Sequence, residues 1–231
     1  MNLTLPVPLH TWCPFDFLLE RDSSDRARPD LTFASPTRLV PIVGVCLVEP
    51  YDGAMVDVAN DAIRRLLSSR EMAVVPIDTR LDVNAAGLRT PAEIESLLAR
   101  MDAVVTTRLH GTVLALKHGV PVLAIDPEPN GAKIKRQADA IGWPIVFTVD
   151  ALDEEALRRA LDECLSPSAH AAARACAART IPAIERMRSE FMAAAREFRR
   201  PGPKRHERSA FAGRTGAEEK MSDEGPTTES S

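Results

Sequence analysis

The chain has 231 residues, 45% hydrophobic and 27% charged, with a formal net charge of −4. That charge argues against general affinity for nucleic acid or anionic membranes, and no segment approaches the roughly 18 apolar residues of a membrane span. Cys13, Cys46, Cys164 and Cys176 form no C-x-x-C pair and no His/Cys cluster of metal spacing, so neither a metal site nor a disulfide framework is expected, and a cytoplasmic location suits them. Met1–Pro8 lacks the basic region and long apolar run of a signal peptide.

In chain order, residues 1–38 fit no regular element well. Trp12, Phe15 and Phe17 cluster beside Asp16, Glu20 and Arg21, the makings of a short helix, and the stretch from Arg28 to Pro36 reads as a linker or edge strand. From Pro41 the pattern becomes regular. Ile42–Val48 is a continuous β-prone run, as expected of a strand covered on both faces. Met55–Ser69 is an amphipathic helix carrying Val56, Ala59, Ile63 and Leu66 on one face. Met72–Ile77 is the next strand, and Pro76 within it counts against a fully paired central position.

Thr90, Pro91 and Glu93 together spell a helix start, with a capping threonine, a proline at the first helical position and the glutamate of a capping box. Ala103–Thr107 is a third strand. Thr112–His118 reads as a helix, stopped by Gly119 in a left-handed cap with Pro121 beyond it. Val122–Ile125 is a fourth strand, Asn130–Ile141 a helix ending at Gly142, and Pro144–Thr148 a fifth strand. Asp153–Leu165 is a capped helix, and His170–Phe198 a long alanine-rich helix that Pro182 is expected to break or kink.

Strands alternating with helices predict an α/β fold, a Rossmann-like doubly wound parallel sheet with right-handed crossovers. The domain is expected over 39–199, preceded at 1–38 by a linker or the remnant of another domain. Beyond Pro201 the composition is rich in Gly, Pro, Ser, Lys and Glu and nearly devoid of apolar residues, so 200–231 reads as a disordered tail.

The chemistry concentrates at Arg108-Leu109-His110-Gly111, directly after the third strand. In open α/β sheets ligands sit at that carboxyl edge. With alternate residues sharing a face, Arg108 and His110 are expected to line the crevice together while Leu109 packs inward. Gly111 would let backbone approach a ligand closely, and Thr112 would open a helix whose free N–H groups attract anions. Lys133, after the loop Asp126–Ala132, adds a further positive charge at the same edge. Such a set suits a phosphate or carboxylate with an imidazole beside it.

Each of these residues has a plainer reading. An arginine at a strand end is commonly a surface ion pair, and an isolated histidine is more often structural than catalytic. It is their combination in one strand–turn–helix that favours function. Lys133 and Lys135 fit a solvated helix face, His118 a helix C-terminus, and Asp78 and Asp126 the capping of the turns that follow them. His10, His170 and His206 have no supporting context.

Arg108-Leu109-His110-Gly111, Ala115, Gly119-Val120-Pro121 and Lys133 together resemble the hallmark of the polysaccharide pyruvyl transferase family, over about Pro41 to Leu165. The resemblance implies the C-terminal half of a two-domain fold like that of GT-B glycosyltransferases, with the active site between the halves. It implies transfer of pyruvate from phosphoenolpyruvate to two sugar hydroxyls as a ketal, with phosphate released. Arg108 would then contact the phosphoenolpyruvate anion and His110 would be the general acid, with Gly111, Thr112 and Lys133 as further substrate contacts. The chemistry calls for no metal and no organic cofactor. The implied partners are phosphoenolpyruvate, a glycan or sugar-lipid acceptor, and a separate N-terminal half or a second copy of the chain.

Two departures stand out. Members normally carry a full N-terminal domain where this chain has about forty residues, and many carry a basic residue where it reads Val48-Glu49-Pro50. Two other readings stay open: a nucleotide-sugar glycosyltransferase donor domain, with Asp126 and Glu128 as the local candidates for holding a ribose, and a non-catalytic truncated or split partner.

Overall fold

The structure, a computed structural model, describes residues 27–199 together with Thr11 and Asp16. The expected aromatic cluster at Trp12, Phe15 and Phe17 and the expected tail from Pro201 lie outside the described residues. The chain divides into two compact units, Met1–Thr180 and Ile181–Ser231.

In the first unit five strands form one wholly parallel sheet: β1 (Ile42–Cys46), β2 (Ala73–Pro76), β3 (Ala103–Thr106), β4 (Val122–Asp126) and β5 (Val146–Thr148), in the order β2-β1-β3-β4-β5. The helices are α1 (Val56–Ser68), α2 (Pro91–Leu98), α3 (Leu109–Lys117), α4 (Lys133–Ile141), α5 (Glu154–Cys164) and the long α6 (Pro167–Arg199). Helix α1 packs against α5, while α3 packs against both α2 and α4. That division is what winding outward in both directions from β1 requires. The doubly wound parallel sheet expected from the alternating pattern is therefore the observed fold, and the direction of winding reverses between β1 and β3.

Strands β1, β3 and β4 are buried nearly throughout, which accounts for their unbroken apolar runs. Trp143 is buried among them and donates from Nε1 to the Val122 carbonyl at 2.7 Å, so its one polar atom is satisfied. Strand β2 lies at an edge. The Ala73 and Ile77 N–H groups donate to Pro41 and Val45 on the β1 side, so the outward-facing positions are 72, 74 and 76. Proline occupies the last of these and has no N–H to offer.

Local punctuation follows the sequence closely. Thr90 and Glu93 form a reciprocal capping box at the start of α2. Asp153 caps α5 by accepting from Ala156 N. Gly119 and Gly142 adopt positive φ just past α3 and α4.

Several expectations need correction. Helix α4 begins at Lys133, not Asn130, which has a positive φ in the loop before it. Strand β1 ends at Cys46, not Val48, because Leu47 and Val48 are drawn out of the ladder by side chains from β3's exit and α1. Helix α3 begins at Leu109, not Thr112, with Arg108 as its N-cap residue. Helix α6 runs unbroken through Pro182, so the expected break is absent.

Candidate functional site

The reversal of winding leaves a crevice beyond the paired ends of β1 and β3, where Cys46 and Thr106 stand opposite each other. Side chains and backbone knit the two exits together. Thr106 Oγ1 donates to the Cys46 carbonyl at 2.7 Å and accepts the Arg108 N–H at 2.8 Å. The Thr107 N–H reaches the same Cys46 carbonyl at 3.0 Å.

Arg108 leaves the strand in extended conformation, and its carbonyl accepts the Thr112 N–H at 3.1 Å, closing the first turn of α3. Its side chain is only 13% exposed, with Nε donating to the Leu47 carbonyl at 2.6 Å. The guanidinium's Nη1 lies 3.9 Å from Asp78.

The early start of α3 changes what the residues after Arg108 do. His110 is the second residue of the helix and is exposed at the crevice. A Cβ on Gly111 would overlap Thr106 Oγ1 and stand 2.8 Å from Cys46 Cβ. Glycine is therefore needed there to seat the helix on β1 and β3. Thr112 is fully buried, and its hydroxyl donates to the Arg108 carbonyl at 3.2 Å. Gly111 and Thr112, expected to touch substrate, thus lie within the protein. The N–H groups of the first turn, at residues 109–111, have no helical acceptor.

A cavity of about 320 Å³ opens at this edge, and Arg108, His110, Lys133, Tyr51, Thr79 and Glu128 are among its lining residues. Lys133 is the first residue of α4, exposed and, among the described residues, without an ion-pair partner. Three of the five expected site residues therefore share one cavity. Lys135 instead pairs with Asp139, and His118 lies against Glu95.

Asp126 also borders the cavity, but its carboxylate is engaged. One oxygen accepts from Ala132 N at 2.7 Å and Lys135 N at 3.0 Å, and the other from Glu128 N at 3.2 Å. The buried carboxylate thus organises the loop that delivers Lys133. Across the opening, the Tyr51 hydroxyl donates to Glu128 Oε1 at 3.2 Å. Desolvation, reinforced by the hydrogen bond to Glu128, pushes the Tyr51 phenol up to about 12.

Two arrangements carry little signal in the sequence. In the first, Arg80 donates from Nε and Nη2 to Asp78 and from Nη1 to Glu49. The bonds from Arg80 to Asp78, with Arg108 nearby, hold the Asp78 carboxyl below the ordinary carboxylate range against the opposing effect of burial. The only trace of this clamp is the Asp-x-Arg spacing after β2. In the second, Asn60 on the buried face of α1 bonds to both Val48 and Thr107. Its trace is an amide interrupting an apolar stripe.

Among the described residues no group of three or more His, Cys, Asp or Glu side chains is placed to hold a metal ion, and no helix is long and apolar enough to cross a membrane.

Residues 29–129 match the polysaccharide pyruvyl transferase family model. The matched stretch includes β1, β3 and β4 with Arg108 and His110, and it stops short of Lys133. Among solved structures, the chain is similar to a glycotransferase of kitacinnamycin (15% identity, TM-score 0.41), covering 66% of this chain and 44% of that one. It is also similar to the spinosyn forosaminyltransferase SpnP (19% identity, TM-score 0.38), covering 79% of this chain and 53% of that one. The chain thus spans about half the length of each. No curated protein sequence matches it.

Proposed function

We propose that this chain is the phosphoenolpyruvate-binding half of a pyruvyl transferase that modifies a glycan or sugar-lipid acceptor in the cytoplasm. The observation that carries the reading is that Arg108, His110 and Lys133 line one cavity at the edge of the sheet where ligands bind. The family match over 29–129 supports it.

Phosphoenolpyruvate carries a carboxylate and a phosphate. Arg108 presents a planar fork for one anion, Lys133 a mobile point charge for the other, and the first turn of α3 adds partial positive charge. His110 gives a proton to the methylene carbon, turning it into a methyl group and leaving positive charge at the neighbouring carbon. Imidazole is suited to that transfer near neutral pH. One sugar hydroxyl oxygen bonds to the charged carbon, and a second displaces phosphate to close the ketal. Of the two hydroxyl protons, one replaces that lost by His110 and the other leaves with phosphate. The acceptor's binding wall comes from a separate N-terminal half or a second copy of the chain.

Calorimetric titration of phosphoenolpyruvate into the purified chain tests this. Binding that disappears in Arg108→Ala supports the assignment. Absence of binding to the folded wild-type chain overturns it. The presence of Glu128 in the same cavity favours a second reading, a nucleotide-sugar site, which binding of a nucleotide sugar in place of phosphoenolpyruvate would support. Binding of neither ligand would leave a non-catalytic partner.

A further inference from the structure

Helix α1 presents Val56, Ala59, Ala62, Ile63 and Leu66 to the core, and among them sits one amide, Asn60, only 5% exposed. An apolar residue there would bury more surface without needing hydrogen-bond partners. Asn60 has them. Its Nδ2 donates to the Val48 carbonyl at 3.0 Å, and its Oδ1 accepts from Thr107 Oγ1 at 2.9 Å. The Thr107 hydroxyl, 2% exposed, in turn accepts the Val48 N–H at 2.8 Å. The three bonds close a ring that holds both polar backbone groups of Val48.

The Val48 N–H shares one rigid plane with the Leu47 carbonyl. Fixing the N–H on Thr107 therefore fixes the direction of the carbonyl, and that carbonyl accepts from Arg108 Nε at 2.6 Å. Asn60 Oδ1 accepts the hydrogen bond from the Thr107 hydroxyl, which orients that hydroxyl so that its oxygen receives the Val48 N–H. The chain of contacts runs from α1, through the exit of β3, to the exit of β1, and back to the guanidinium.

We infer that Asn60 is a positioning residue for Arg108, acting through Thr107 and the Leu47–Val48 peptide. Its significance for ligand binding rests on the proposed role of Arg108; the coupling itself does not. Asn60 is not among the residues lining the cavity, so its substitution touches no ligand directly.

The first test uses the unaltered chain. By nitrogen-15 NMR hydrogen exchange, the Arg108 Nε–H and the Val48 N–H are expected to open together, with the same denaturant dependence. Independent opening overturns the inference. The second test compares Asn60→Leu with Asn60→Ala, which removes both the acceptor for Thr107 and the donor to Val48 without the bulk of leucine, should the leucine variant not fold. In a folded variant the Arg108 Nε–H loses its slow exchange, and phosphoenolpyruvate affinity falls by about tenfold or more, while Thr107→Ser, which retains the hydroxyl, stays close to wild type. Unchanged Nε–H exchange in a folded Asn60 variant overturns the inference. If the wild-type chain binds no phosphoenolpyruvate, the functional reading fails alone, and the exchange data still decide the positioning.

Discussion

The side chain of Arg108 hangs from the backbone of Leu47, with Nε 2.6 Å from the carbonyl oxygen. One residue belongs to the exit of β3 and the other to the exit of β1. The guanidinium is thereby held at the point where the sheet reverses its winding, before any ligand arrives. Such preorganisation reduces the ordering cost of binding.

Arg108→Lys is expected to lose most of the phosphoenolpyruvate affinity, although it keeps the charge. An ammonium has no fork with which to hold the Leu47 carbonyl and an anion in fixed directions at once. Comparing Arg108→Lys with Arg108→Ala by calorimetry separates charge from geometry. Equal affinity in Arg108→Lys and wild type would show that only charge matters there.

Gly111→Ala is expected to destabilise the chain by about 1–3 kcal/mol. The new methyl group would meet Thr106 Oγ1 and Cys46 Cβ, so α3 must lift from the sheet or the sheet must yield. Either displacement moves His110 and Arg108 relative to each other. Urea unfolding reads the stability loss, and an unshifted midpoint would contradict the close seating of α3.

Thr90→Ala removes a hydroxyl that accepts the Glu93 N–H at 3.2 Å and should cost about 1 kcal/mol. The Glu93 carboxyl is held below its ordinary value chiefly by the Arg89 and Thr90 N–H groups. Because α2 contributes no lining residue to the cavity, phosphoenolpyruvate affinity is expected to stay unchanged. This variant is the control for effects that arise from stability alone.

The Asp78 carboxyl is lowered first by the hydrogen bond from Arg80, with Arg108 adding to the effect. A carboxyl depressed in the folded state stabilises it fully above the unfolded value, near 3.9. That contribution is lost as pH falls through the folded value. Asp78→Asn should therefore be less stable than wild type at neutral pH, and the gap should close in acid. Urea midpoints measured across that range check the sign, and a gap that persists at the acid end would contradict it.

The sheet and its caps were legible because they rest on local rules. Thr90-Pro91-x-Glu93 and Gly119-x-Pro121 declare helix ends whatever surrounds them, and the apolar runs of β1, β3 and β4 declare burial. Pro76 correctly marked an edge. What failed depended on contacts between distant segments. Val48 reads as strand until Thr107 and Asn60 claim its N–H and carbonyl. The residues from Leu109 to Gly111 read as a turn, yet Arg108's carbonyl and the absence of a Cβ at Gly111 let helix begin there. The residue types at Arg108, His110 and Lys133 were visible in one dimension, whereas the inward turn of Thr112 and the Asp78–Arg80–Glu49 clamp were not.

Cys46 ends β1 directly beneath the crevice, yet its thiol is expected to be inert while the chain is folded. Burial pushes it up to about 12, and the nearby Arg108, which favours the thiolate, offsets only part of that. Cys164 is raised for the same reason, burial, with Glu163 adding to it. At pH 8 a disulfide exchange reagent should therefore leave both unmodified in the native chain and react with them in urea, since the thiolate is the attacking species. The same shift has a thermodynamic consequence. A thiol whose folded value lies above its unfolded value stabilises the fold fully below the unfolded value. That stability is lost progressively as pH rises from about 9 toward 12. Urea midpoints should therefore decline across that alkaline range, and Cys46→Ala, though less stable at neutral pH through its lost packing, should decline less steeply. Rapid native-state modification of Cys46 would instead mean that the crevice opens to the strand end, and that Arg108 is held far more loosely than its bond to Leu47 implies.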